Sequence, residues 1–239
     1  MYHFQRRESL CSLFNQYKFV TVIGAGGKTS LIELLAHDFK EKGLSVAITT
    51  TTKIYAKDPY VLEDSLRYDL LRSRPFIRVG KEIVNGKLHG ISEETLVSLG
   101  NFYDLILIEG DGAKGKPLKC PTDYEPVVPS VTDIVVLVCG LDAINKTVED
   151  SVFRWELLRE KGIDGGEKID EKRFVELLCG YMLKGINDKQ YAICFNKYDM
   201  WKNKRSITSL ISLLTDSKKP EFILVSSILF RSFYICTEL

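Results

Sequence analysis

VIGAGGKTSLI, residues 22–32, reads as the end of a strand, a glycine turn and the start of a helix. The apolar run stops at Gly24, and glycines occupy positions 24, 26 and 27. From Thr29 onward the apolar residues Leu31, Ile32, Leu34, Leu35 and Phe39 recur at helical spacing until Gly43. A strand that enters a helix through such a turn aims backbone N–H groups at one point, and the helix dipole favours an anion there. The expected occupant is a phosphate chain. Gly24, Ala25, Gly26, Gly27, Lys28, Thr29 and Ser30 are the candidate phosphate-binding residues, with Lys28 as a mobile positive charge and Thr29 as a hydroxyl ligand for Mg²⁺. The alternative reading is a plain glycine turn with an exposed lysine.

Outward from this unit the chain alternates strand with helix. The segments 19–23, 44–52, 104–112, 132–140, 190–199 and 221–227 are apolar or β-branched, and helical patterns follow at 151–161, 170–184 and 203–215. The fold class expected is α/β, a mostly parallel sheet with helices on both faces and a P-loop NTPase-like outline. One stretch breaks the rhythm. Residues 75–92 place Asn85-Gly86 between two short strand-like runs, which predicts a small β-hairpin insertion on the sheet edge. No internal repeat, low-complexity tract or Pro/Ser-rich linker is seen, so residues 1–239 are expected to form one domain.

Charge and composition narrow the partners. Lys plus Arg number 33 against 32 Asp plus Glu, so no net field draws the chain to nucleic acid or to an anionic membrane. No segment approaches 18 uninterrupted apolar residues and MYHFQRRESL lacks a signal-peptide core, so a soluble, cytoplasmic protein is expected. The six cysteines lie far apart without metal-ligand spacing and read as small buried residues.

Two further constellations bear on the ligand. Asn196-Lys197-x-Asp199 follows the fifth apolar strand, at the end where open α/β sheets bind ligands. A carboxylate at Asp199 accepts from guanine N1–H and N2–H₂ together, whereas adenine offers an acceptor at N1, so this pattern favours GTP over ATP. Lys197 is placed to lie over the base and Asn196 to tie its loop to the glycine turn; Ser226-Ser227 end the next strand. A polar strand-to-helix turn is the bland alternative. The second constellation is EGDGAKGKPLKCPTDYEPVVP, residues 109–129. Glu109 falls at a strand end beside the glycine turn, where Mg²⁺ held by Thr29 needs a carboxylate, and Asp111 is placed to share that task. Lys28, Glu109 and Asp111 are the catalytic candidates, with Thr29 and Glu109 at the metal. Lys114, Lys116 and Lys119 meet phosphate or are simply solvated, and Thr50 or Thr51 touches the γ-phosphate or serves the strand. Cys120 is either a reactive thiolate on a basic loop or incidental.

The short G-x-x-G-K-T at 24–29 resembles the loop of the Mur ligase group within the P-loop NTPases. Taken together, VIGAGGKTSLI, TTTTKI (49–54), the 109–129 block and VVLVCGLDAINK (135–146), in this order and spacing, resemble the YqeC family over roughly residues 15–215. Gly110 stands where that family usually has alanine, and Cys120 where it has a small apolar residue. The resemblance implies a nucleotide-dependent accessory factor in maturing a selenium-dependent molybdenum hydroxylase. The client enzyme, or the proteins that mature its cofactor, would be partners. The combined motifs are also similar to those of GTPases that assist urease and hydrogenase assembly. Two alternatives remain open: a Mur-like ATP-dependent ligase or kinase acting on a small acid or cofactor, and a non-hydrolysing nucleotide sensor or scaffold.

Overall fold

The computed structural model describes residues 2–186, 188–201, 207–214 and 219–238. One sheet of ten strands organises the chain. In chain order these are β1 (Tyr2–Arg7), β2 (Phe19–Gly24), β3 (Val46–Thr50), β4 (Val61–Leu62), β5 (Phe76–Gly80), β6 (Leu105–Glu109), β7 (Ile134–Gly140), β8 (Gln190–Asn196), β9 (Ile223–Ser227) and β10 (Ser232–Glu238). Their order across the sheet is β1-β10-β9-β8-β7-β2-β6-β3-β5-β4. Every neighbouring pair from β9 to β4 is parallel. At the other edge β10 runs antiparallel to both β9 and β1.

The strand sequences explain why the sheet is covered on both faces. All seven residues of β7 are buried, and alternate ones face opposite layers. Val135, Leu137 and Cys139 pack with Phe174 and Leu177 of helix Glu171–Leu177, while Ile134, Val136 and Val138 pack with Leu31, Leu35 and Phe39 of helix α1 (Lys28–Glu41). At the β3–β5 end Ala47, Ile77, Ile106 and Ile108 are covered by Leu96 and Leu99 of helix Glu93–Leu99. The chain is thus α/β with a large, mostly parallel sheet between helical layers. Asp38, buried on α1, accepts from Ser9 Oγ at 2.9 Å and Leu10 N at 3.0 Å and pairs with Arg231, so it joins both ends of the chain to this helix.

Several expected elements are shorter or differently used. The segment 190–199 leaves the sheet at Asn196 because Lys197 adopts a left-handed backbone with φ 61°, and 104–112 leaves it at Glu109. The pattern at 151–161 is not one helix. Val148–Ser151 forms a single turn, Val152–Phe153 pairs in parallel with Leu118–Lys119, and only Glu156–Arg159 is helical again. The β-branched, aromatic pair satisfies the backbone of a loop that has no other strand beside it among the described residues. Residues 170–184 form Glu171–Leu177 followed by a π-turn at Leu178–Met182. Of 203–215, Ile207–Ser212 is helical, and 203–206 and 215 lie outside the described residues.

Residues 75–92 divide between two sheets. Phe76–Gly80 joins the main sheet, whereas Ile83–Val84 and Lys87–His89 pair antiparallel around Asn85-Gly86. Both turn residues have positive φ, 50° and 71°, which the tight hairpin requires. Lys53–Tyr55 completes this small second sheet. Strands β1, β4 and β10 had no clear sequence signal: the first is an edge strand of alternating exposure, rich in polar residues. Among the described residues no helix is long and apolar enough to cross a membrane.

Phe233 on β10 is fully buried against the α1 layer. Phe233→Ala should lower unfolding stability by about 3–5 kcal/mol, measured by urea denaturation. A change within about 0.5 kcal/mol, the range of an exposed site, would show that the C-terminal strand does not stabilise this core.

Candidate functional site

The glycine turn after β2 is wedged between two other strand ends. Gly24, Gly26 and Gly27 have φ of 90°, 81° and 131°. A Cβ at Gly24 would lie 2.4 Å from Val138 O, and one at Gly26 would lie 2.3 Å from Gly140 N, so backbone approach excludes a side chain at either place. The amides divide into two sets. Gly24 N–H donates to Asp111 Oδ1 and Oδ2 (3.1 and 3.0 Å), Ala25 N–H to Val138 O at 2.9 Å and Gly26 N–H to Lys116 O at 3.0 Å. Those three hold the loop's shape. The N–H groups of Gly27, Lys28, Thr29 and Ser30 have no acceptor among the described residues, and α1 has no side-chain N-cap. The open backbone donors therefore lie at Gly27–Ser30, over the first turn of α1, rather than along the whole run of glycines, and that is where an anion would be accommodated.

Beneath it runs a line of alternating charge. Lys28 Nζ donates to Gly24 O at 2.7 Å and lies 3.2 Å from Asp111 Oδ1 and 3.9 Å from Glu109 Oε1. Asp111 Oδ2 meets Lys119 Nζ at 3.1 Å, Lys119 meets Glu125 at 2.8 Å, and Glu125 accepts from Arg154 at 2.6 Å. Lys28, Asp111 and Lys119 are no more than 5% exposed. Buried charges of this kind are tolerated when each finds an opposite partner. Asp111 spends both oxygens on Gly24 and two ammonium groups, so it fixes the loop and parks the lysine. Glu109 instead accepts from Thr29 Oγ1 at 3.1 Å. Burial pushes the Glu109 carboxyl above its usual range and neighbouring Asp111 adds to this, against the opposing pull of Lys28 and Thr29. Among the described residues no three His, Cys, Asp or Glu side chains cluster as a closed metal site. Thr29 and Glu109 fit the sparse protein ligation of Mg²⁺, which takes its remaining ligands from water and phosphate.

At the end of β8, Asn196 Nδ2 donates to Gly26 O at 2.9 Å, and its Oδ1 accepts from Ser226 Oγ and Ile228 N, each at 3.2 Å. One amide side chain thus joins the glycine turn to β9. Lys197 Nζ lies 3.1 Å from Asp142 Oδ2, and Asp199 N–H donates to Ser227 Oγ at 2.9 Å while its carboxylate is exposed. The remaining candidates have structural partners. Thr49, Thr50 and Thr51 donate their hydroxyls to Val79 O, Glu109 O and Val127 O. Lys116 donates to Glu149 O and Asp150 O, and Lys114 lies over the Phe153 ring at 5.4 Å. Cys120 is buried, and that burial raises its pKa, the reverse of a reactive thiolate. Sequence reasoning missed Glu125, Arg154 and Asp142, and of the two roles it left open for Lys119, phosphate contact or solvation, the structure shows neither: its ammonium is buried against Asp111 and Glu125. The signal for Lys119 was its place between Leu118 and Cys120 in a short, fully buried strand.

The Glu109 environment predicts a pH-dependent cost in stability. A carboxyl with a raised folded pKa stabilises the fold below its unfolded value and loses that contribution as pH rises through the folded value. Glu109→Gln retains an acceptor for Thr29 and does not titrate. Its melting temperature should match wild type near pH 4 and exceed it at pH 7. A lower melting temperature than wild type at pH 7 would mean that the Lys28 and Thr29 contacts outweigh burial.

The YqeC protein family matches residues 20–156, a span that holds the glycine turn, Glu109, Asp111 and the Lys119–Glu125–Arg154 chain. The "uncharacterized protein YqeC" of Escherichia coli (strain K12) is 34% identical over 149 residues, 57% of this chain. The match likewise spans 57% of that relative's length. With more than half of its residues inside the family match, the chain belongs to the YqeC family.

Proposed function

We propose that this protein binds a nucleoside triphosphate with Mg²⁺ and hydrolyses it, with GTP favoured over ATP, as a cytoplasmic accessory factor in maturing a selenium-dependent molybdenum hydroxylase. One observation carries the nucleotide reading: at the start of a 14-residue helix, four N–H groups without an acceptor among the described residues stand beside a buried lysine and the Thr29–Glu109 pair. The accessory role rests on YqeC family membership.

In this reading Gly27–Ser30 donate to phosphate oxygens, and Lys28 turns from Asp111 and Gly24 O toward the phosphates. Thr29 and Glu109 would hold Mg²⁺, which would supply charge neutralisation at the phosphates. Asp111 keeps Gly24 N–H in place while the lysine moves, since Lys119 remains as its counter-ion. Asn196 holds the base loop against the glycine turn, and the exposed Asp199 carboxylate reads the base. Released and loaded states differ in where Lys28 and Glu109 point, which is a difference a client protein can read.

Thermal denaturation tests this directly. At a hundred times its Kd, Mg·GTP should stabilise the protein by about 2.7 kcal/mol, more than Mg·ATP at equal concentration, and Lys28→Ala should abolish both the shift and turnover. An equal shift in the folded variant would sink the loop assignment.

Asp199→Asn tests base reading. The amide presents a donor to guanine N2–H₂ but suits the C2 carbonyl of xanthine. A mismatched polar contact costs about 1–3 kcal/mol, so the variant should lose roughly ten- to a hundredfold in GTP affinity and gain XTP. An unchanged order of GTP and XTP would assign the pocket to another base.

A further inference from the structure

A nucleotide that lays its phosphates at the glycine turn and its base at Asn196–Asp199 has to cross one strand. The glycine turn ends β2, the base loop ends β8, and β7 lies between them in the sheet. The sugar that joins phosphates to base therefore falls over the C-terminal end of β7, where Gly140 leads into the single turn Leu141–Ala143. That turn meets both neighbours. A Cβ at Gly26 would lie 2.3 Å from Gly140 N, so the glycine turn presses on one side. On the other side Leu141–Ala143 packs beside the Tyr198–Met200 turn of the base loop.

Leu141 and Ala143 are buried apolar residues, so Asp142 is the polar side chain of this turn. Its carboxylate is unevenly used. Oδ2 accepts from Lys197 Nζ at 3.1 Å and from Lys146 Nζ at 3.2 Å, whereas Oδ1 is buried without a hydrogen-bond partner among the described residues. Only 9% of the side chain is exposed. Oδ1 is turned toward Gly140, 2.6 Å from where a Cβ there would lie, and so toward the strand end that borders the glycine turn. An ionised carboxylate accepts and does not donate, so the partner it lacks is a donor. Two ammonium groups against one carboxylate leave the spot net positive, so this acid does not repel a polyphosphate.

We infer that Asp142 binds the ribose of the nucleotide, accepting from a sugar hydroxyl, and so selects ribonucleotides over their deoxy analogues. The inference rests on the nucleotide reading of the proposed function. In it Lys197 leaves Asp142 to lie over the base, and the carboxyl group turns to give an oxygen to the sugar hydroxyl in place of the ammonium. Lys146 stays as counter-ion. An analogue lacking the hydroxyl leaves a buried carboxylate oxygen unmet, which is how a site built around a hydroxyl rejects the molecule without it.

Calorimetric titration of the full chain tests this, with Mg·GTP, Mg·ATP and, for the tighter of the two, its 2′-deoxy and 3′-deoxy analogues. Wild type should bind at least one analogue about tenfold or more weakly than the parent nucleotide, the usual worth of a hydrogen bond to a charged group. Asp142→Ala should bring parent and analogue within about twofold of each other, the spread of sites that do not interact. Asp142→Asn keeps an acceptor oxygen without its charge, and its ratio should fall between the two. A role confined to holding Lys197 would weaken parent and deoxy nucleotides alike and leave their ratio at the wild-type value. That result overturns the inference, as does a wild type that binds both analogues as tightly as the parent. Should Asp142→Ala fail to fold, an unchanged ratio in Asp142→Asn overturns it equally. If neither Mg·GTP nor Mg·ATP binds, the nucleotide reading fails and takes this assignment with it; if one binds and the sugar hydroxyls make no difference, the nucleotide reading stands and only the ribose contact falls.

Discussion

The carboxylate of Asp111 is the contact on which the site depends. It receives Gly24 N–H through both oxygens and lies between the ammonium groups of Lys28 and Lys119. A buried carboxylate in this position would be costly alone, and two buried lysines near each other would repel. Together, with Glu125 and Arg154 extending the alternation, they form a set in which each charge has its opposite. The loop that precedes α1 is therefore held in a left-handed, glycine-only shape by electrostatics from a separate segment, not by its own hydrogen bonds alone.

This arrangement separates two tasks that the sequence presents as one acidic motif. Asp111 fixes backbone and lysine, whereas Glu109, two residues earlier and still on β6, faces Thr29 and has its carboxyl pushed upward by burial. Burying this carboxyl at a strand end costs folding free energy that Lys28 and Thr29 only partly offset. Asn196 gives the third anchor. By bonding Gly26 O on one side and Ser226 and Ile228 on the other, it ties the glycine turn to the ends of β8 and β9.

The sheet supplies the geometry for all of this. Parallel strands put their C-terminal ends on one edge, so residues far apart in sequence, Gly24, Thr50, Glu109, Gly140 and Asn196, end their strands side by side. Packing on both faces leaves the strand ends little freedom, since alternate residues of β7 are tied into opposite layers. The antiparallel edge of β10 and β1 adds nothing to the site directly, but through Asp38 and Arg231 it closes the layer that carries α1.

The sequence alone determined the elements whose signal is local. Continuous apolar runs marked β2, β3, β6, β7, β8 and β9, the 3.6-residue period marked α1, and Asn85-Gly86 marked its hairpin, because burial on two faces, helical periodicity and positive φ each leave a trace within a few residues. The glycine turn and the acidic strand end were legible for the same reason. Tertiary structure decided what depends on partners distant in the chain. The short edge strands β1, β4 and β10 exist because a neighbour offers them a ladder, and Val152–Phe153 is extended because Leu118–Lys119 lies beside it. Lys119 was open between phosphate contact and solvation, and the fold instead buries it against Asp111 and Glu125, 8 and 6 residues away in a loop with no periodicity. Which amides of the glycine turn remain open was likewise undecided by composition. That depended on Val138, Lys116 and Asp111 arriving from three other segments to take the first three, because a backbone donor's availability is set by whichever acceptor the fold brings to it.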